Sequence, residues 1–387
     1  MMNGVKTTYT KDIDDLIYLL SCSLLGTTPD IERVNEMDLN YLYQLASFHS
    51  LVAMISFSLE RAIPLPTQFE QDKKKAMRKL ALFDIERKKI FQRMDEEKIW
   101  HMSLKGSVLK DDYPKFGMRE MVDNDILCDS GRMADVKAIM EELGYHCMEY
   151  EKRVDDAYAK SPLYFEMHRN LFEKREIESL YNYYKDIQAK LIPLNDDKLE
   201  LCFSDEDFYV YMVAHDYKHY GFGGIGLRSL LDLFVFLRKR KDILDWEYIS
   251  KELGCLGLSE FEQSHRGLAY AAFADKSLTE EEKESLLYYV TSGTHGTKDQ
   301  SLANRLSKAM SDDDSASSKR HYLKRRIFLS GDDLKNRYPF FYQHKWLVPA
   351  LHIYRLSKAV FVKPRTVMHE YKKVKGYENT QPTEEHD

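Results

Sequence analysis

HMSLKGSVLKDDYPKFGMREMVDNDILCDSGRMADVKAIMEELG, residues 101–144, is the stretch on which the fold turns. Met102–Leu104 is a short strand candidate that runs into Lys105-Gly106-Ser107, and a helical turn follows as far as Asp112. Tyr113-Pro114 breaks that turn, because proline fixes φ and has no N–H to donate. Arg119–Cys128 contains the apolar–polar alternation of a half-buried strand. Asp129-Ser130-Gly131 then turns the chain into a helix over Met133–Leu143, which Gly144 ends. Tyr145–Tyr150 and Leu163–His168 are two further strand candidates, so the region reads as a small α/β sheet.

Outside that region the periodicity is helical. Ile13, Leu16, Ile17 and Leu20 fall at helical spacing, and residues 11–62 read as short helices closed by Pro64 and Pro66. From Thr67 to about Ile99 there is no Gly or Pro, and Ala76, Leu80, Phe83, Ile90 and Met94 make the stripe of one long amphipathic helix that Arg87 interrupts. Downstream, Phe208–Tyr220, Leu227–Arg240 and Trp246–Gly254 are predicted helices, the first two separated by Gly221-Phe222-Gly223-Gly224. Ser311–Ser318 reads as a polar linker, and the last dozen residues as a frayed end. The expected fold class is α+β, predominantly helical, with a small mixed β-sheet core embedded between N-terminal and C-terminal helical regions. The expected divisions are 1–99, 100–200, 201–310 and a basic helical segment, 319–375, packing on the body.

Composition agrees with that architecture. The chain has 387 residues, 43% hydrophobic and 31% charged, which excludes global disorder, and its 17 Gly and 10 Pro disfavour a turn-dense all-β fold. No run reaches the roughly 18 to 20 apolar residues of a membrane span. MMNGVKTTYTKDIDD lacks the apolar core of a signal peptide, and a cytoplasmic location is expected. Cys22, Cys128, Cys147, Cys202 and Cys255 are too scattered for a disulfide framework or a Cys-x-x-Cys pair, and read as reduced, mostly buried thiols. The net charge of −6 hides an asymmetry: residues 319–375 hold 15 Lys and Arg against three acids, a net +12, which leaves −18 for the remainder. Such a segment either binds an anionic partner or neutralises the body beneath it.

The residues that carry chemistry lie in the α/β region. Asp123 and Asp125, two apart on a strand, point to the same side about 6 to 7 Å from each other and repel unless a cation lies between them. Glu166, in Tyr164-Phe165-Glu166-Met167-His168, is a third strand acid, and His168 falls on its face and within reach of it. Such carboxylates suit Mg²⁺, which takes one or two of them together with substrate phosphates. Leu104-Lys105-Gly106-Ser107 ends a strand and opens a helix, where backbone N–H groups attract anions. Asn124, between the two aspartates, points into the packed face, where its amide needs a hydrogen-bond partner. On the predicted helices, His215 and His219 are one turn apart beside Lys218, and Arg228 and Asp232 are likewise four apart. They either face a site or form an intrahelical ion pair and two packed histidines.

Together these motifs, LKGSVL, YP, Arg119, DND, YFEMHRNL, HDYKH and GLRSLLDL, resemble the nucleotidyltransferase fold of DNA polymerase β-type enzymes, and most of all the bacterial uncharacterised nucleotidyltransferase family, over roughly residues 100–360. The resemblance implies that Asp123 and Asp125 hold two Mg²⁺ ions, with Mn²⁺ a substitute, and that Glu166 completes the metal site or acts as base. It implies that Gly106 and Ser107 contact phosphates, with Lys105 or Arg119 balancing charge on pyrophosphate. His215, His219, Arg228 and Asp232 would shape a nucleotide or acceptor pocket. The implied partners are an NTP, ATP first, and an acceptor that a sugar, antibiotic, protein side chain or RNA end would equally satisfy. In that family the residue between the aspartates is usually Ile, Val or Leu; Asn124 departs from the pattern and leaves room for an altered site. Two other readings compete: His215-Asp216 as the dyad of a metal-dependent phosphohydrolase, and a non-catalytic nucleotide or polyanion binder using the basic segment, although nucleic acid is not the favoured partner.

Overall fold

Apolar spacing and proline placement account for the N-terminal helices, α1 (Lys11–Leu25), α2 (Ile31–Asn35), α3 (Leu39–Phe48), α4 (Val52–Leu59) and α5 (Thr67–Glu96). This computed structural model describes residues 8–194, 199–274, 277–294 and 296, then 328–329, 331, 334, 338–362 and 368. Helix α5 runs for 30 residues, about 45 Å at 1.5 Å per residue, and buries Phe69, Leu80, Phe83, Glu86, Ile90, Phe91 and Met94. The charge inside that stripe is Glu86, where the sequence suggested Arg87. Its carboxylate accepts from Tyr145 Oη at 3.0 Å and Lys160 Nζ at 2.8 Å, which offsets the cost of burying it.

After α5 come β1 (His101–Ser103), α6 (Lys105–Leu109), β2 (Asn124–Cys128), α7 (Met133–Glu142), β3 (His146–Glu149), β4 (Asp155–Lys160) and β5 (Leu163–His168). The strands assemble in the order β1-β2-β5-β4-β3. Strands β2 and β5 run parallel, and the other pairs are antiparallel, so the sheet is mixed. One face carries Ile126, Cys128, Phe165, Met167 and Tyr158 against Leu80, Phe83, Ile90 and Met94 of α5 and Val136, Ile139 and Met140 of α7. Alternation sends Asp125, Glu166 and His168 to the other face. Asp123 immediately precedes β2 instead of lying on it. Strand β4 was not anticipated: charged residues at both its ends obscure the pattern, yet it lies between β5 and β3 with Asp156 fully buried on Arg169 and the Glu151 amide.

The chain then forms α8 (Glu178–Tyr184), a two-stranded pair β6 (Ile192–Pro193) and β7 (Leu201–Cys202), and helices α9 (Asp205–Phe222), α10 (Leu227–Arg240), α11 (Trp246–Leu256), α12 (Ser259–Phe273) and α13 (Glu280–Ser292). Three acids in the first turn of α9 and a Thr279–Glu282 capping box on α13 complement their exposed amides. Buried residues of α1, α3, α4, α9, α10, α12 and α13 form one core, which reaches Met102, Leu104 and Leu127 of the sheet region.

By contacts the chain divides into two units, Met1–Tyr220 with Ile225–Gly296, and Gly221–Gly224 with Thr297–Asp387. The described residues of the second contain α14 (Pro339–Gln343) and α15 (Val348–Val362), with Leu351 buried and Phe340, Trp346, Ile353 and Tyr354 exposed. The predicted linker, 311–318, and much of the basic segment, including 319–327 and 369–375, lie outside the described residues, as does the frayed end. All five cysteines are free, but only Cys22 and Cys128 are buried, while Cys255 is exposed. Among the described residues no helix is long and apolar enough to cross a membrane.

Candidate active site

The parallel register of β2 and β5 sets Asp125 directly opposite Glu166. His168, two residues beyond Glu166, lies on the same face, with Nε2 3.7 Å from Asp125 Oδ1 and 3.7 Å from Glu166 Oε2. One ligand atom from each of these three residues falls within 4.8 Å of the other two, the spacing of groups able to share a cation. Half-buried Asp123 is not part of that set. Burial, and then repulsion from Asp125 and Glu166, pushes Asp123 up to about 7. Burial also opposes the ionised form of Asp125, but His168 beside it outweighs this and holds it below the usual carboxylate range. In turn, burial by itself would lower His168; the two carboxylates prevail and push it up to about 10.

Next to this cluster, the Lys105-Gly106-Ser107 turn opens α6 as predicted, yet its side chains face inward. Ser107 is buried, and its hydroxyl donates to Asn124 Oδ1 at 2.8 Å. That bond supplies the partner Asn124 needs on its carbonyl, while its Nδ2 finds none among the described residues. The Lys105 ammonium pairs with buried Asp216 of α9. Asp216 also meets His265 Nε2 at 3.3 Å, and His265 Nδ1 lies 2.8 Å from Tyr289 Oη. Burial disfavours ionised Asp216, but Lys105 with the histidines holds it well below the usual carboxylate range.

Arg119 makes the second buried link. Its Nε and Nη2 donate to the two oxygens of Asp232 on α10, each at 2.8 Å, and Tyr113 Oη donates to Oδ1 at 2.8 Å. Asp232 is thus bound to a residue 113 positions away, where an ion pair with Arg228 on its own helix had been one reading. A Cβ on Gly106 would stand 3.0 Å from Arg119 Nη1, so the glycine makes room for the guanidinium. Arg228 donates through Nη2 to Ser50 O at 3.2 Å and lowers the pKa of Asp123 electrostatically. His215 and His219 on α9 face each other, Nε2 to Nε2 at 3.3 Å, and burial followed by nearby positive charge holds both below the usual imidazole value.

Sequence reading overlooked Asp216 as the anchor of Lys105, Tyr113 as a partner of Asp232, and Lys79, whose Nζ donates to Val122 O at 2.9 Å beside Asp123. No local signal marks them, because each acts through a partner distant in the chain. Asp216 is committed to Lys105 and His265, and neither it nor His215 belongs to the cluster able to share a cation among the described residues.

A family model described as "Uncharacterised nucleotidyltransferase" matches residues 35–274. Among solved structures, the chain is similar to an antigenic nucleotidyltransferase-like protein from Paracoccidioides brasiliensis, at 14% identity and a TM-score of 0.31, over 49% of this chain and 91% of that one. No curated protein matches.

Proposed function

We propose, from the premise that this chain belongs to the uncharacterised nucleotidyltransferase family, that it transfers a nucleoside monophosphate from an NTP, ATP first, to an acceptor hydroxyl. The acceptor hydroxyl loses its proton, to Glu166 as base or to solvent, as its oxygen attacks the α-phosphorus; a new phosphoester bond forms, the bond from the α-phosphorus to the bridging oxygen breaks, and pyrophosphate leaves. The observation that carries this reading is the register that sets Asp125 against Glu166, with Asp123 beside them pushed up by burial first and by both acids after it. Two strand carboxylates that favour a positive charge between them, there the His168 imidazolium, with Asp125 Oδ1 buried and lacking a hydrogen-bond partner among the described residues, fit a divalent cation.

Asp125 and Glu166 would hold that cation, and Asp123 beside them is the candidate to share in holding a second. When bound, a divalent cation offsets phosphate charge and lowers the pKa of an attacking hydroxyl. Arg119, fixed by Asp232 and Tyr113, and Lys105, fixed by Asp216, would add positive charge near the phosphates from positions that cost no reorganisation. Gly106 and Ser107 would keep the β1–α6 turn close to them, with the Ser107 hydroxyl retained by Asn124. His215 and His219, held neutral, would hydrogen-bond to nucleotide or acceptor, with Arg228 restraining the carboxylate of Asp123. Residues 100–194 would supply the catalytic core, and helices α9 to α13 the helical wall.

Each of the four labelled NTPs, offered with Mg²⁺ or Mn²⁺ and a pool of hydroxyl acceptors, should reveal label transfer and pyrophosphate release with at least one nucleotide. The double variant Asp123→Asn, Asp125→Asn should lose both. Transfer that survives this variant would remove these residues from the reaction.

A further inference from the structure

His168 differs chemically from the two acids it joins. Its Nε2 lies 3.7 Å from an oxygen of each, which is beyond hydrogen-bonding range. Asp125 Oδ1 and both ring nitrogens of His168 are buried without a hydrogen-bond partner among the described residues. At that range the carboxylates act on His168 through charge alone, and an ion between them would give Nε2 and Asp125 Oδ1 the direct partner that each lacks. Atoms bound to one ion at about 2.0 to 2.2 Å lie about 3 to 4 Å from each other, and the His168 separations fall in that range. The placement is imposed by the sheet. His168 pairs with Leu127 on β2 and with Asp155 on β4, so its backbone is held from both sides, and the same register holds Glu166 opposite Asp125.

We propose that His168 is a direct ligand of the cation, through Nε2, and that the site therefore selects first-row transition ions over Mg²⁺. The proposal rests on the reading of Asp125 and Glu166 as ion ligands; the Nε2 proton that these carboxylates favour when no ion is bound leaves to solvent as the ion takes its place between them. Mg²⁺ is a hard ion that takes oxygen and keeps its waters, so an imidazole in its shell displaces a better ligand. Transition ions accept nitrogen with oxygen, and their affinity for such mixed sets rises from Mn²⁺ through Fe²⁺ and Co²⁺. Mn²⁺ is the weakest of that series and so the strictest probe. On this account the Mg²⁺ expected from the carboxylates alone gives way to a transition ion because of one strand residue two positions past Glu166.

Mn²⁺ bound to the full chain should show nitrogen modulation in pulsed electron paramagnetic resonance, and the modulation should change when the protein is made with ¹⁵N-histidine. This arm needs no variant. His168→Gln, which offers an oxygen in place of the nitrogen, should abolish the modulation and lower the preference for Mn²⁺ over Mg²⁺ roughly tenfold or more in competition titrations. Nitrogen modulation absent from the wild-type protein would overturn the ligand assignment; if Asp125→Asn still abolished Mn²⁺ binding, the carboxylate site would stand without it. Modulation that persisted in His168→Gln and vanished in His215→Gln would overturn it in favour of α9. Mn²⁺ binding undiminished by Asp125→Asn would overturn both readings together.

Discussion

Asn124 stands beside two aspartates with its side chain fully buried, and Ser107 supplies the hydrogen bond that makes this tolerable. The Ser107 hydroxyl is therefore expected to act on stability. Ser107→Ala strands a buried carbonyl, and the variant should lose about 1 to 3 kcal/mol in urea unfolding while still forming β2. An unchanged midpoint would mean that Asn124 finds another donor. His49 offers a pH test away from the carboxylates. It is fully buried, lies 3.0 Å from Val290 O, and burial lowers it to about 4 from 6.5. Because the folded chain binds this proton less readily than the unfolded chain, the stability His49 contributes is fully present above about pH 6.5 and is lost as pH falls toward 4. The loss is of order 3 kcal/mol. Denaturant midpoints taken down that range should fall less steeply for His49→Gln; parallel curves would assign the acid sensitivity elsewhere.

At the scale of elements, the site depends on where helices and strands are brought together. The β2–β5 register is one such constraint, since a slip of one residue would carry Asp125 to the opposite face. The entry to α10 is another. Gly226 precedes that helix, and a Cβ there would lie 2.2 Å from Gly293 O at the end of α13. That neighbour is backbone and cannot turn aside, so Gly226→Ala should cost about 1 to 3 kcal/mol or more, read as a lowered thermal midpoint. Displacing α10 would also move Asp232 from Arg119. Elements with clear periodicity, α5, α10 and α11, were legible in the sequence, as were β2, β5 and α9, the last from its run between helix breakers, since Phe208–Ala214 are all buried. Strand β4 was not, because its ladder with β3 and β5 overrides a local pattern crowded with charge.

For the whole molecule, the ion site proposed on the sheet face would make ion binding and folding one equilibrium. A divalent cation that binds only the folded chain should stabilise it by about 2.7 kcal/mol at a hundred times its dissociation constant. Scanning calorimetry with and without Mn²⁺ should show the rise in wild type and lose it in Glu166→Gln. A rise of the same size in that variant would place the ion elsewhere. Fold class, helices such as α5 and α10, the β1–α6 turn and the placing of Asp125 and Glu166 on strands follow from the sequence alone, because periodicity and turn chemistry act over a few neighbouring residues; Asp123, expected on the strand, precedes it. The family motifs lie in the same short stretches. Only the tertiary structure decided that Lys105 belongs to Asp216, 111 residues away, that Arg119 belongs to Asp232, that Ser107 serves Asn124, and that His168 completes the cluster. Those pairings arise from how sheet and helices pack, and a charged residue carries no local mark of which distant partner will cancel its burial.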